Sequence, residues 1–452
     1  MKLKYSILST AIILALSPLS AAAQANGTNS SYSRFGLGLP CDQSQSYNRS
    51  MGGVAQGLRN GSRVNMQNPA SYSAMDSLTF IFDVGMSLQR TRFAQNGGHT
   101  AANNTSFDHV NASFRLARNL GMSVGFQPFT KIGYNFSMTQ DVTIDPYTGQ
   151  DITNGFVFNG SGGVRHAYIG AGWQPFKGFS FGANIGFLWG DINNQITQTF
   201  AENGTANNTG FSSLRTTYTS NIKSWKGDAA VQFVVPFKNE DRLTIGATVG
   251  IGHPIGGETS IIRTALSGDT IKASTDKAFS LPMSYSAGAA WEHKDKLTLA
   301  ADFTLEQWSK CNTPQFDAST QTYYAATGAY TDRWRINAGA EYVPSRFDHQ
   351  LAQRINYRVG AYYSSPYINI PKGGATLKGP CEFGITAGVG IPITNGWVNK
   401  TYQNIYSPSY VNIGVEWAQR APGSSALIRE NIMLVNIGLT FNERWFMKWL
   451  FR

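Results

Sequence analysis

Charge is scarce in this chain: of 452 residues only 14% are Asp, Glu, Lys or Arg. Although the formal net charge is +10, no Lys/Arg cluster goes with it, which argues against nucleic-acid binding. Long apolar runs are missing as well. Past residue 23 no stretch of 18 apolar residues occurs, so a helical membrane span is excluded from the remaining chain. Cysteine is limited to Cys41, Cys311 and Cys381, with no CxxC or other zinc-ligand spacing, so no metal site is expected. Enzyme motifs are also lacking in their required context: no GxSxG, HExxH or phosphate-binding glycine loop occurs in a strand-to-helix setting. The six histidines are scattered, and no cofactor is implied. A hydrolase assembled from Ser, His and Asp on separate strands is the one enzymatic alternative; the chain is expected not to be an enzyme.

What is present begins with a secretory pattern. Lys2 and Lys4 precede an apolar stretch from Tyr5 to Leu16, and Ala21-Ala22-Ala23 precede Gln24. Residues 1–23 are therefore read as a signal peptide, whose removal lowers the net charge from +10 to +8 because they contain no acid. A lipid anchor would need a cysteine at the cleavage point, and the nearest is Cys41. The composition, with 47 Gly, 27 Phe, 20 Tyr and 10 Trp, suits aromatic-rich exposed strands.

Strict period-two alternation then recurs along the chain. Leu281, Met283, Tyr285, Ala287, Ala289 and Trp291 share one face, and Ser284, Ser286 and Gly288 the other. The pattern predicts strands near 78–88, 110–116, 122–138, 167–173, 179–189, 229–237 and 243–251. A second set follows near 281–291, 297–305, 334–342, 355–363, 383–393, 411–417 and 433–441. Fourteen is an even number, as a bacterial single-chain barrel with both ends in the periplasm requires. Short connectors at 117–121, 174–178, 238–242 and 292–296 alternate with long ones at 139–166, 190–228, 252–280 and 306–333. Those at 343–354 and 394–410 are longer than tight turns. Charges keep one phase: Asp83, Arg115, Asp302, Arg335, Glu341, Arg358 and Glu416 all avoid the apolar face. Arg or Lys facing lipid at mid-depth costs roughly 2–4 kcal/mol, whereas a lumen can solvate or pair it.

The expectation is thus an all-β, fourteen-stranded transmembrane antiparallel barrel over residues 77–441, in the outer membrane of a Gram-negative bacterium. Residues 24–76, polar and glycine-rich with anchors such as Tyr32, Phe35, Leu37 and Met51, read either as a disordered tail or as a plug (hatch) inside the barrel. Residues 442–452, with Arg444-Trp445-Phe446-Met447-Lys448-Trp449, read as an interfacial aromatic/basic tail or as a docking segment for a protein partner. Pro128 interrupts the third predicted strand. A proline cannot donate to a ladder, and a closed barrel has no edge to hold it, so the strand must break there. The break is either a bulge or a lateral opening.

Gly52-Gly53-Val54-Ala55, then Val64-Asn65-Met66-Gln67-Asn68-Pro69-Ala70-Ser71, ahead of the first strand, resemble the hatch region of the FadL family of long-chain fatty acid transporters. The resemblance continues from Leu281-Pro282 through Trp308-Ser309, including Asp302. It implies passive passage of a hydrophobic, fatty-acid-like molecule through a plugged lumen to a lateral opening near strand 3. It also implies that Asn68, Pro69 and Ala70 lie beside that opening with Pro128, with membrane lipid and the hydrophobe as partners. Ser71 stands where glycine often follows in the family. The alternative on the same fold is a docking or shuttle component of outer-membrane protein secretion or assembly machinery, contacting a protein partner through external loops or the C-terminal tail. If any cysteines pair, Cys311 with Cys381 is expected, since both fall at external strand ends.

Overall fold

The computed structural model describes residues 27–77, 79–144, 151–202, 213–237, 240–265, 268–346, 348–372, 375–393 and 408–444. The signal-peptide segment 1–23 and residues 445–452 of the expected tail lie outside the described residues.

The alternating pattern folds into a closed antiparallel wall of fourteen strands. The first, Thr79–Gln95, pairs with the second, Gly98–Ala117, and with the fourteenth, Arg429–Arg444, which closes the ring. The third is built of Leu120–Pro128 and Thr130–Ile144, and the fourth of Asp151–Gly162 and Arg165–Phe176. The fifth to ninth are Phe179–Glu202, Leu214–Pro236, Arg242–Gly250, Ser284–His293 and Leu297–Glu306. Arg333–Tyr342, Asn356–Ser364, Cys381–Pro392 and Tyr410–Ala421 complete the wall. Each strand falls where the period-two pattern places one.

Outward side chains form an apolar band: Ile169, Ile185, Phe187, Val231, Val359 and Ile385 are all exposed. In water these exposures would be costly, at about 25 cal/mol per Å² of apolar surface; facing lipid they cost nothing. Inward positions carry the polar residues, and Asp83, Asp302, Glu341, Arg358 and Glu416 are buried there.

Two expectations need correction. The long external connectors are largely strand: the fifth and sixth strands run 24 and 23 residues and stay paired as far as Gln198↔Leu214, about twice the 9–11 residues that span a bilayer. Above the membrane the outward face of such a strand loses its apolar residues, so Asn193, Gln195 and Thr197 carry no period-two signal. The fourteenth strand also runs past its expected end. Asn442, Glu443 and Arg444 pair with Ile81, Phe80 and Thr79 rather than starting a tail.

Residues 28–75 hydrogen-bond to inward side chains around the whole ring. Partners include Ser180 and Gln232 for Arg59, Asn337 for Gly52, Thr386 for Gly52 and Glu416 for Arg49. These partners lie on the fifth, sixth, tenth, twelfth and thirteenth strands.

Candidate functional site

The break at Pro128 reorganises the wall. Below it the third strand pairs with the second from Val110↔Phe126 to Ala117↔Leu120. At Phe129 an extra residue is inserted, because the Phe129 and Thr130 N–H groups both donate to the Val164 carbonyl, at 2.8 and 3.1 Å. One inserted residue switches which side chains face inward: Ser123 and Gln127 are buried before it, Thr130, Ile132 and Tyr134 after it. Beyond the bulge the third strand pairs with the fourth but no longer with the second. A slot therefore separates residues 98–109 from residues 130–144. The fourth strand bends at the same level, where Gly162 and Gly163 have φ of +114° and +139°. A side chain on Gly163 would meet the Thr130 carbonyl at 2.4 Å.

The N-terminal segment occupies this slot. Leu39 and Pro40 pair antiparallel with Lys131 and Thr130. The Cys41 N–H donates to the Phe129 carbonyl at 2.9 Å and Gln43 Nε2 to the Pro128 carbonyl at 3.1 Å. Thr130 Oγ1 donates to the Leu37 carbonyl at 2.6 Å, and Ser33 Oγ caps both backbone groups of Gly133. On the opposite edge Asn29 Nδ2 donates to Asn104 Oδ1 at 3.2 Å, and Lys131 Nζ itself crosses to Ser106 Oγ. Backbone groups freed by the kink are thus satisfied by the chain's own N-terminal residues, as buried or lipid-facing polar groups must be.

Of the sequence-predicted residues, Asn68 caps the short helix Pro69–Ala74: its side chain accepts from the Ala70 N–H at 3.1 Å and donates to the Gln56 carbonyl at 2.9 Å. Pro69 and Ala70 press on the wall where it is bare. A side chain on Gly182 would stand 2.5 Å from the Pro69 carbonyl and 2.6 Å from Ala70 N. Pro128 bonds instead to Gln43, and Gln127 beside it contacts Sδ of Met66, two residues before Asn68. The bridge expected between Cys311 and Cys381 is not formed: both thiols are free, each turned to a backbone carbonyl of its own surroundings, Gln307 and Ala421. Disulfide geometry is specific, and position at one end of the barrel does not by itself supply it.

Sequence reasoning missed the ion pairs that fix residues 28–75 to the wall. Arg49 bridges Asp108 at 3.3 Å and Glu416 at 3.2 Å; Arg63 and Arg358 converge on Glu341 at 2.7 and 2.6 Å; Arg335 reaches Asp42 at 3.3 Å. Asp302 accepts from the Ala55 and Gln56 N–H groups at 2.5 and 3.0 Å. The signal was there in the inward phase of these charges, but the partners lie up to 367 residues away. Burial pushes the Asp42 carboxyl up, yet Arg335 and Arg49 outweigh that and hold it well below the usual carboxylate range. His109 and Asp83, 2.6 Å apart with Thr440 on the second carboxylate oxygen, fasten the first, second and fourteenth strands.

Cavities remain in the lumen among the described residues. One of about 210 Å³ is bordered by Asp42, Lys226, Asp228, Asp302, Glu306 and Arg335, and one of about 140 Å³ by Arg49, Lys131, Glu382, Glu416 and Arg420. One apolar cluster lies above the kink, where Leu37 of the N-terminal segment sits with Ile132, Tyr134, Phe158, Val164 and Leu188.

Solved structures share this architecture at low identity. The toluene transporter TbuX of Ralstonia pickettii matches with a TM-score of 0.56 at 15% identity, over 89% of this chain and 98% of its own. The Pseudomonas putida toluene transporter TodX gives 0.55 at 15%, over 89% and 98%. A Pseudomonas aeruginosa FadL homologue gives 0.56 at 12%, over 91% and 100%. A search of curated proteins finds no match. The fold is the FadL-like one, and since the BamG family model matches residues 4–452, the chain belongs to the BamG family.

Proposed function

We propose that this chain is an outer-membrane barrel closed by its own N-terminal residues, working as a docking or shuttle component of outer-membrane protein secretion or assembly machinery. One observation carries the reading: residues 28–75 are tied by buried ion pairs and ladder hydrogen bonds into both the lumen and the lateral slot. Moving one partner out of a buried pair costs about 3–5 kcal/mol, so a lumen held by several is built to stay filled. The 24- and 23-residue fifth and sixth strands add support, because they carry a rigid sheet beyond the membrane where a protein partner can reach it. Residues 24–76 are then the plug, the barrel is the membrane anchor, and the external strands or the tail past Arg444 meet the partner.

A second reading is favoured by a different observation. The apolar cluster around Leu37 and Ile132 adjoins the slot at Phe129, and several barrels of this fold are named as toluene or hydrocarbon transporters. Passive passage of a hydrophobic small molecule would then run past Leu37 and leave sideways near Pro128, with Asn68, Pro69 and Ala70 holding the plug beside the exit. Lateral release is favoured physically, since each buried CH₂ is worth about 0.8 kcal/mol in lipid.

Native mass spectrometry of gently extracted full-length protein separates the two. Docking expects a stoichiometric protein partner and no retained hydrophobe; passage expects bound fatty acid or hydrocarbon and no partner. A partner-free, hydrophobe-loaded protein overturns the docking reading.

A further inference from the structure

The outward face carries a lopsided set of cations at the external rim of its apolar band. On the first strand, five outward apolar residues from Phe80 to Leu88 are followed by Arg90 and Arg92; on the sixth, the series from Phe233 to Trp225 is followed by Lys223. On the fourth, Arg165 follows Ala167, Ile169 and Trp173. All four cations are exposed. None has an ion pair or side-chain hydrogen bond among the described residues. Arg165 and Lys223 are register partners of Trp189 on either side, so two cations flank one indole at a single level. Asp191, the outward carboxylate one step above, is taken by Asn221 at 2.7 Å. The corresponding rim positions on the seventh to thirteenth strands, from His253 to Gln419, carry no lysine or arginine, while Arg429 on the fourteenth is exposed beside the first-strand pair. The two groups therefore stand on the two sides of the slot between the second and third strands, and the far wall has no counterpart.

We propose that Arg90 and Arg92 on one post of the slot, with Arg165 and Lys223 on the other, form a binding site for the phosphates of anionic outer-leaflet lipid headgroups. In a membrane, the medium meeting side chains just above an apolar band with a Trp at its rim is the headgroup layer. There the alkyl stems of Arg and Lys lie on apolar surface while their heads reach phosphate oxygens. A protein partner would have to enter that same layer to reach them. Headgroups held here would also cover the slot from outside, at the place where the wall has side chains and a borrowed strand instead of a continuous ladder.

The test uses full-length protein in vesicles of phosphatidylcholine doped with phosphatidylglycerol or with phosphorylated or dephosphorylated lipid A, with retained lipid counted by native mass spectrometry. R90Q/R92Q and R165Q/K223Q are compared with wild type and with K294Q/K296Q on a periplasmic turn; gel mobility with and without heating verifies that each barrel is folded. Retention of anionic lipid over zwitterionic phosphatidylcholine is expected to fall about five-fold for each cation removed and to be unchanged in the control pair. Loss of lipid A alone would identify the glycolipid as source, and equal loss of phosphatidylglycerol would show that any anionic phosphate headgroup serves. Equal retention of phosphatidylcholine, or unaltered retention in both slot variants, would overturn the site. So would an acidic protein held in place of lipid.

Discussion

Lys131 on the third strand reaches across the slot to Ser106 on the second, so two strands that part at Phe129 are rejoined by a side chain where a ladder would otherwise run. On the same slot-side edge its backbone is the register partner of Leu39. One residue thus faces both the opening and its stopper.

Locking that stopper distinguishes the two functional readings. In a background with Cys41, Cys311 and Cys381 changed to Ser, Leu39→Cys with Lys131→Cys places two thiols on directly opposed positions, about 4.5–5.5 Å apart at Cβ. An oxidised cross-link is expected to form in high yield and to leave partner binding intact. If the crosslinked barrel instead stops taking up a labelled hydrophobe that the reduced form admits, passage is the function.

Glu341 holds Arg63 of the inner segment and Arg358 of the wall together. Glu341→Gln would leave two buried guanidinium groups facing each other without a counter-charge, and the expected loss is about 3–5 kcal/mol. Limited proteolysis of residues 28–75 should accelerate accordingly, and thermal unfolding should move to lower temperature. An unchanged digestion rate would mean that this ion triad does not hold the segment in place.

The wall was legible and its contents were not, for a physical reason. Lipid outside and polar contents inside force opposite demands on alternate residues, so Trp334-Ile336-Ala338 against Arg335-Asn337 announces a barrel strand from a few positions. Residues 28–75 obey no period. Their conformation is set by pairings such as Arg49 with Glu416 and Ser30 with Glu430, which no local rule connects. Pro128 lies between these cases: the ladder rule located the break, but the inserted residue at Phe129 and the answering bend at Gly162 and Gly163 are properties of neighbouring strands. The strand extensions were invisible because Thr, Asn and Gln take over the outward face once lipid is left behind.

Gly182 and Gly172 leave a bare patch on which the Pro69–Ala74 helix lies, and a Cβ at either would meet the Pro69 carbonyl within 2.5 Å. Backbone cannot yield as a flexible side chain can. Gly182→Ala is therefore expected to cost about 1–3 kcal/mol through overpacking, whereas Gly98→Ala, whose Cβ would meet nothing nearer than 3.4 Å, should be neutral. Equal melting temperatures for the two variants would contradict the close approach.

Asp42 supplies a pH dependence whose sign is fixed. Its carboxyl is held below the usual range because Arg335 and Arg49 outweigh the cost of burial. A depressed folded-state value means that the stabilisation is fully present above the unfolded value of about 4 and disappears as pH falls toward the folded one. The stability difference between wild type and Asp42→Asn should hence be constant from pH 7 to about pH 5 and shrink below pH 4. Measuring both proteins cancels the other carboxylates. A difference that grows on acidification would show that the pairing with Arg335 and Arg49 is not what holds Asp42.

The three thiols differ in what surrounds them, and their modification rates should follow. The Cys311 thiol is pushed up to about 12 by burial, with Glu306 and Asp332 adding to it, and that of Cys41 is raised mainly by burial, which outweighs nearby Lys131. Since the thiolate is the nucleophile, at pH 8 both should react far more slowly with a water-soluble disulfide reagent in native protein than after unfolding. In unfolded protein all three should titrate, because none is bonded to another. A count of one in unreduced, unfolded protein would show that two of the three are bonded, and mapping that bond to Cys311 and Cys381 would require the external ends of the ninth and twelfth strands to approach one another.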